Sequence, residues 1–242
     1  MKKIIFTLLA LVGTMSMNAQ VIQVMKIYKD NVLVAKYKAS EANNVVFEEV
    51  QTKGKATATI GGVDTDVNWV QLWDDGPKFA EYNVGATSAT EYGGHYCWGK
   101  TIDKDEDDKF KDGESVLIGN DDTATALWGE KWRMPTKEEF DNLLKNCTVE
   151  WIDGDTKKYN NTDVKGLLCT GRGDYSSNSV FLPAAKFSKH GLVVDLGDNG
   201  YWSSTPYGSD YAYSLYFKSG EQNVTNRSRF NGYSVRAVLA EE

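Results

Sequence analysis

Histidine, proline and cysteine are scarce in this chain of 242 residues, which holds two, four and three of them respectively. His95 and His190, with Cys97, Cys147 and Cys169, match no zinc-ligand spacing. So few prolines exclude collagen-like and polyproline architectures. Three cysteines leave at least one thiol unpaired and cannot form a disulfide framework. Folding must therefore rest on an apolar core, which a chain of this length can bury. Basic excess is lacking as well: 27 Lys and Arg stand against 34 Asp and Glu, a formal charge of −7. That balance excludes the electrostatic footprint of a nucleic-acid-binding protein. No apolar run long enough to span a membrane occurs, and no period of 20–50 residues points to a solenoid or propeller. What is present is aromatic and glycine-rich, with 7 Trp, 13 Tyr and 22 Gly. The expectation is one large domain, alone or with a small appendage.

The N-terminus reads as an address. Lys2 and Lys3 precede the apolar stretch 4–12, and Met17-Asn18-Ala19 before Gln20 has the form of a signal-peptidase site. Residues 1–19 are thus expected to be a cleaved signal peptide. No cysteine follows the apolar stretch, so no lipoprotein anchor is expected. The mature chain would be exported without a transmembrane segment, to the periplasm, cell surface or medium. Its charge would be more negative by the two lost lysines.

Residues 20–50 read as a small β module. Val24-Met25-Lys26-Ile27-Tyr28 and Val32-Leu33-Val34-Ala35 flank a Lys29-Asp30-Asn31 turn, and Val45-Val46-Phe47 follows as a third short strand. Residues 51–68 read as a linker and a first strand, and 69–242 as the main domain. Two helices are expected there. One spans Asp122 to Trp128 and stops at Gly129. The other follows Thr136, with Glu139 closing a capping box and Phe140, Leu143, Leu144 and Cys147 forming one apolar stripe. Strands are expected near Gly166–Thr170, Val180–Pro183, Leu192–Leu196, Tyr211–Lys218 and Gly232–Val238, with a hairpin turn at Lys218-Ser219-Gly220-Glu221. The alternation in Tyr211-Ala212-Tyr213-Ser214-Leu215-Tyr216-Phe217 suits a sheet with one buried face.

Six segments, in order, carry a family resemblance. They are Tyr82-Asn83-Val84-Gly85-Ala86, Tyr96-Cys97-Trp98-Gly99, Trp132-Arg133-Met134-Pro135-Thr136, Phe181-Leu182-Pro183-Ala184-Ala185, Gly200-Tyr201-Trp202-Ser203-Ser204 and Ser234-Val235-Arg236-Ala237-Val238. From about Trp69 to Val238 the chain resembles the Fibrobacter succinogenes major paralogous domain family of exported Bacteroidetes-type proteins. That family is similar to the formylglycine-generating-enzyme (sulfatase-modifying-factor) group and to C-type-lectin-like domains. The resemblance implies an α+β, C-type-lectin-like fold: two helices on twisted antiparallel sheets, first and last strands paired, and long loops carrying any binding. The N-terminal strands resemble a small β-hairpin module that often precedes such domains. The chain departs from the relatives where their chemistry sits. No cysteine follows Cys169, so the late cysteine pair of the formylglycine-generating enzymes is missing. The Glu-Pro-Asn, Gln-Pro-Asp and Trp-Asn-Asp triplets of calcium-dependent sugar-binding lectins are missing too.

Asp103, Asp105, Asp107 and Glu114 occupy positions 1, 3, 5 and 12 of a calcium-loop template, with Phe110 at the eighth. Asp108 stands where that loop needs glycine at position 6. The segment reads either as a weak calcium site or as a solvated acidic loop; no other cofactor is expected. Cys147 and Cys169 read as core thiols or as a bridge. His95, His190, Ser203 and Ser204 form no recognisable triad. Arg172-Gly173-Asp174 reads as a turn. Asp122-Thr123-Ala124 resembles a Bacteroidetes-type O-glycosylation tripeptide, but the expected first helix covers it, and Asn223-Val224-Thr225 is a sequon without meaning in a bacterial chain. Aromatic density near the C-terminus is more suggestive. Tyr207, Asp210 and Tyr211, with Arg227 and Arg229 on the same face or guarding a strand edge, are the expected ligand-binding set. Trp98, Trp132 and Trp202 are assigned to the core. The expected function is a non-catalytic binding or adhesion module for a glycan or protein. The alternatives are a structural subunit of a surface assembly, with strands 21–50 pairing to a partner, or an enzyme of altered chemistry.

Overall fold

The computed structural model describes residues 24–29, 32–38, 50–101, 110–185, 187–189, 192–194 and 199–240. Two units are distinguished, Met1–Val50 and Gln51–Glu242. In the first, β1 (Val24–Lys29) and β2 (Val32–Lys38) form an antiparallel hairpin around the expected turn. The register pairs Val24 with Lys38, Met25 with Tyr37, Lys26 with Lys36 and Ile27 with Ala35. The expected strand at Val45–Phe47 lies outside the described residues.

The second unit is α+β and mostly antiparallel, with two α-helices among the described residues. It begins with β3 (Lys53–Ile60) and β4 (Val63–Gln71), a hairpin where the sequence suggested a linker and one strand. The pattern was hard to read because β3 is built from Thr, Ala and Gly with few large apolar residues. Consecutive glycines, Gly61 and Gly62, take φ of 60° and 83°; this is the two-residue turn that matches strand twist. Since β4 also pairs with the strand Lys78–Ala80, the β3–β4 hairpin belongs to the sheet of this second unit.

Next come β5 (Lys78–Ala80), α1 (Thr123–Trp128), β6 (Trp132–Arg133) and α2 (Lys137–Asn146). They are followed by β7 (Thr148–Ile152), β8 (Gly166–Thr170), β9 (Ser179–Pro183), β10 (Phe187–Lys189) and β11 (Leu192–Val194). The chain ends with β12 (Asn199–Tyr207), β13 (Tyr211–Lys218), β14 (Glu221–Ser228) and β15 (Val238–Leu239). The sheets are β3-β4-β5-β15-β6, β7-β8-β9, β10-β11 and β12-β13-β14. The last strand thus enters the sheet of the first three, Val238 pairing with Phe79 and Arg133.

Gly232–Val238 is not the continuous strand that its β-branched residues suggested. From Tyr233 to Val238 every residue is buried, so no face alternates with solvent. The segment instead serves several neighbours in turn: Tyr233 bridges Tyr96, Ser234 accepts from Trp202 N, Val235 from Val84 N and Ala237 from Ala80 N.

Two apolar clusters form the core. Trp98, Trp128, Trp132 and Trp202 dominate one; Phe79, Phe140, Leu143, Leu215 and Phe217 dominate the other. Each such side chain contributes about 1.5–3 kcal/mol by burial. Buried indoles also need an acceptor: Trp98 donates to Ser203 O at 2.9 Å, Trp132 to Thr57 O at 3.1 Å and Trp202 to Tyr96 O at 2.8 Å. Both helix starts follow the sequence reading. Asp122 caps α1, and Thr136 and Glu139 form the capping box of α2. Asp122 also accepts from Met134 N at 2.8 Å, and Glu139 holds Arg133 through two contacts of 2.7 and 2.8 Å. The segment Arg133-Met134-Pro135 is therefore fixed from both helices, which positions Pro135 to accept from Ser204 N on β12.

Candidate functional site

The connection from β12 to β13 is a three-residue loop, Gly208-Ser209-Asp210, closed by the Tyr207–Tyr211 pair. Gly208 has φ of 67°, a conformation suited to glycine. Tyr207 and Tyr211 are 49% and 47% exposed. Tyr207 meets half-buried Tyr213 edge-on at 5.3 Å, and Lys137 Nζ, paired with Asp141, sits 5.2 Å from the Tyr213 ring. Successive strand residues alternate faces, so Tyr211 and Tyr213 share the α2 side with Leu215 and Phe217.

Arg229 holds this loop from below. It is fully buried, so it cannot line a ligand surface as the sequence suggested. Its Nε donates to Tyr211 O at 2.9 Å, Nη1 to Lys111 O at 2.8 Å and Nη2 to Gly208 O at 2.6 Å. Its guanidinium carbon lies 4.1 Å from the Trp98 ring. Burial lowers its pKa, opposed by the carboxylates of Asp210, Asp112 and Glu114. Arg227 departs from expectation differently. It pairs with Ala212 and stacks 4.8 Å over Tyr216, on the face opposite Tyr207 and Tyr211.

The three strands thus bring Tyr207, Asp210 and Tyr211 together, exclude Arg227, and assign Arg229 to support. Sequence reasoning missed three further members. Phe230, 51% exposed, meets Phe110 edge-on at 4.5 Å. Val116 and Ile118, 46% and 76% exposed, flank buried Leu117, whose N–H donates to Ser204 O. Five of the eight large exposed apolar residues among those described lie in these neighbouring segments. The available signal was Phe230 and Ile118 standing inside polar loops.

Of the calcium template, Glu114 is exposed, while Asp103, Asp105 and Asp107 lie outside the described residues. Among the described residues no group of three or more His, Cys, Asp and Glu could hold a metal ion. Cys97, Cys147 and Cys169 are buried thiols, and no disulfide joins them. Burial pushes the Cys147 thiol up to about 11 and raises Cys169 further. His95 contacts Ala185 O at 2.8 Å, and His190 lies outside the described residues. A cleft of about 790 Å³ runs along Lys55, Trp69, Lys78, Lys131 and Arg133, and one of about 470 Å³ along Gly54, Trp69, Tyr159 and Phe181. Neither cleft is lined by His95 or by a cysteine. Among the described residues no helix is long and apolar enough to cross a membrane. No family model, curated protein or solved structure matches the chain.

Proposed function

We propose that this protein is an exported, non-catalytic binding module. In this reading its main domain takes the C-type-lectin-like fold of the Fibrobacter succinogenes major paralogous domain family, and the Tyr207–Tyr211–Phe230 surface contacts a protein. Export rests on the dilysine, apolar stretch and Ala19 of the N-terminus. The family reading rests on the six ordered segments and agrees with the α+β architecture.

The observation that carries the binding role is the concentration of exposed Tyr207, Tyr211, Phe230, Val116 and Ile118 on loops braced by a buried arginine. Aromatic anchors held rigid before contact are characteristic of interface hot spots. A protein fits better than a glycan because Val116, Ile118 and Phe230 offer no hydrogen-bonding tip, whereas sugar recognition pairs flat rings with polar groups. The test is a parallel screen of residues 20–242 against surface-protein and glycan arrays, beside the Tyr207→Ser/Phe230→Ser variant. The expected result is protein binding lost in the variant. Binding to glycans alone, or equal binding by the variant, would overturn the proposal.

A further inference from the structure

One core indole lacks the acceptor that its neighbours have. Trp69 is 8% exposed, yet among the described residues its Nε1 donates to nothing, whereas Trp98, Trp132 and Trp202 each reach a carbonyl. No described side-chain nitrogen is both sealed from solvent and unpartnered. The Trp69 N–H therefore opens to the space beside it, and that space is the two clefts, which share Trp69 and Lys55. Strand β3 passes the ring at a glycine: a Cβ on Gly54 would lie 2.6 Å from the indole.

The smaller cleft, of about 470 Å³, combines a flat ring with polar groups. Tyr159 is half-buried and stacks on Phe181 at 4.2 Å, so the area it leaves exposed is its other face and its edge. Glu81 accepts from Asn68 Nδ2 at 2.7 Å, and a carboxylate has further lone pairs for hydroxyls. The larger cleft continues past Trp69. Lys55, Lys78 and Lys131 line it with Asp66, Asp75 and Glu130, and among the described residues none of the six is in an ion pair. Unpaired charges of both signs repel a uniform polyanion as much as they attract it. A chain carrying both hydroxyls and carboxylates satisfies them: its hydroxyls donate to the acids, and its carboxylates accept from the lysines.

From this lining we infer that the groove formed by the two clefts binds an oligosaccharide containing uronic acids. Tyr159 packs against a sugar ring, Trp69 Nε1 donates to a hydroxyl, Glu81 accepts from one, and Lys55 holds a carboxylate. The inference goes beyond the function proposed above, because the groove shares no residue with the Tyr207–Tyr211–Phe230 surface and takes a ligand of another class.

The experiment is a titration of the purified protein, followed by proton–nitrogen correlation spectra of its indole N–H groups. The Trp69 peak is the one that Trp69→Phe removes. The probes are oligogalacturonate and alginate oligosaccharides, with neutral oligogalactose of the same length beside them. The Trp69 peak should shift saturably with the acidic probes, and the neutral one should bind about tenfold more weakly, since it loses a charge-assisted hydrogen bond. Lys55→Glu and Glu81→Gln alter exposed side chains. Each should weaken acidic binding at least about tenfold while the thermal melt stays as in wild type. The Tyr207→Ser/Phe230→Ser variant should bind the acidic probes like wild type. A Trp69 peak that moves with neither acidic probe, equal affinity for the neutral one, or undiminished binding by Lys55→Glu and Glu81→Gln would each overturn the inference. Saccharide binding lost in Tyr207→Ser/Phe230→Ser would overturn it too, by placing the ligand on the other surface. Loss of an outside protein alone in that variant leaves the groove untouched, so the two readings fail separately.

Discussion

Arg229 donates through Nη2 to the carbonyl of Gly208 at 2.6 Å, from beneath the only loop joining Tyr207 to Tyr211. A guanidinium is always charged, and its planar fork reaches three carbonyls that an ammonium cannot span together. Replacing Arg229 with Lys should leave at least one of these part-buried carbonyls without its donor and cost about 1–3 kcal/mol in urea unfolding. Hydrogen exchange should rise first at residues 208–211. A variant as stable and as protected as wild type would mean that the loop holds itself.

The carboxylate of Asp122 makes an opposite kind of prediction. It is 1% exposed and accepts from Ala124 N, Thr125 N and Met134 N. Burial outweighs these donors and raises its pKa above 3.8. The native state therefore holds this proton more tightly than the unfolded chain. The stability linked to protonation is fully present below the unfolded value and is lost as pH rises through the raised one. Asp122→Asn should remove that loss, so stability should climb more steeply with pH just above 3.8 than in wild type. At neutral pH, Asp122→Ala should cost about 1–3 kcal/mol, because α1 loses its cap and Met134 N its acceptor.

Half-buried Asp153 titrates with the other sign. The Thr156 hydroxyl and the N–H groups of Lys157, Asp155 and Thr156 lower its pKa to about 2. Its contribution is present above the unfolded value near 4 and fades as pH falls towards 2. Asp153→Ala should therefore be less stable than wild type at pH 7, and the gap should close by pH 2. Thermal melts at several pH values would measure this; a gap independent of pH would assign the effect to backbone strain instead.

Local signals were legible where one residue type does one job. Thr136, Glu139 and Asp122 announced both helix starts, and Gly220 announced the β13–β14 turn, because caps and turns depend on neighbours in sequence. The β3–β4 hairpin and the fully buried run 233–238 were not legible, since the first lacks large apolar residues and the second lacks alternation. The site was half visible. Tyr207 and Tyr211 were identifiable from their loop composition. Arg229 and Arg227, two residues apart, looked alike, yet Arg229 turns inward beyond the last paired residue of β14. That difference depends on carbonyls contributed by residues 111, 208 and 211, which no local pattern reveals.

The cysteines supply the last test. Cys147 and Cys169 belong to the core cluster of α2 and β8, with exposures of 1% and 0%, and Cys97 is also at 0%. The thiolate is the reactive form, and burial holds the Cys147 thiol at about 11 and Cys169 higher still. Iodoacetamide at pH 8 should leave all three unmodified in the folded protein and label all three in strong guanidinium, as read by intact mass. Labelling in the native state should follow global unfolding, so Leu143→Ala, which opens the same cluster at a cost of about 2–5 kcal/mol, should speed it at Cys147 and Cys169. Rapid native labelling of any one cysteine would contradict the buried placement and mark that thiol as accessible. Failure to label after denaturation without reductant, reversed by dithiothreitol, would instead reveal a disulfide where free thiols are expected.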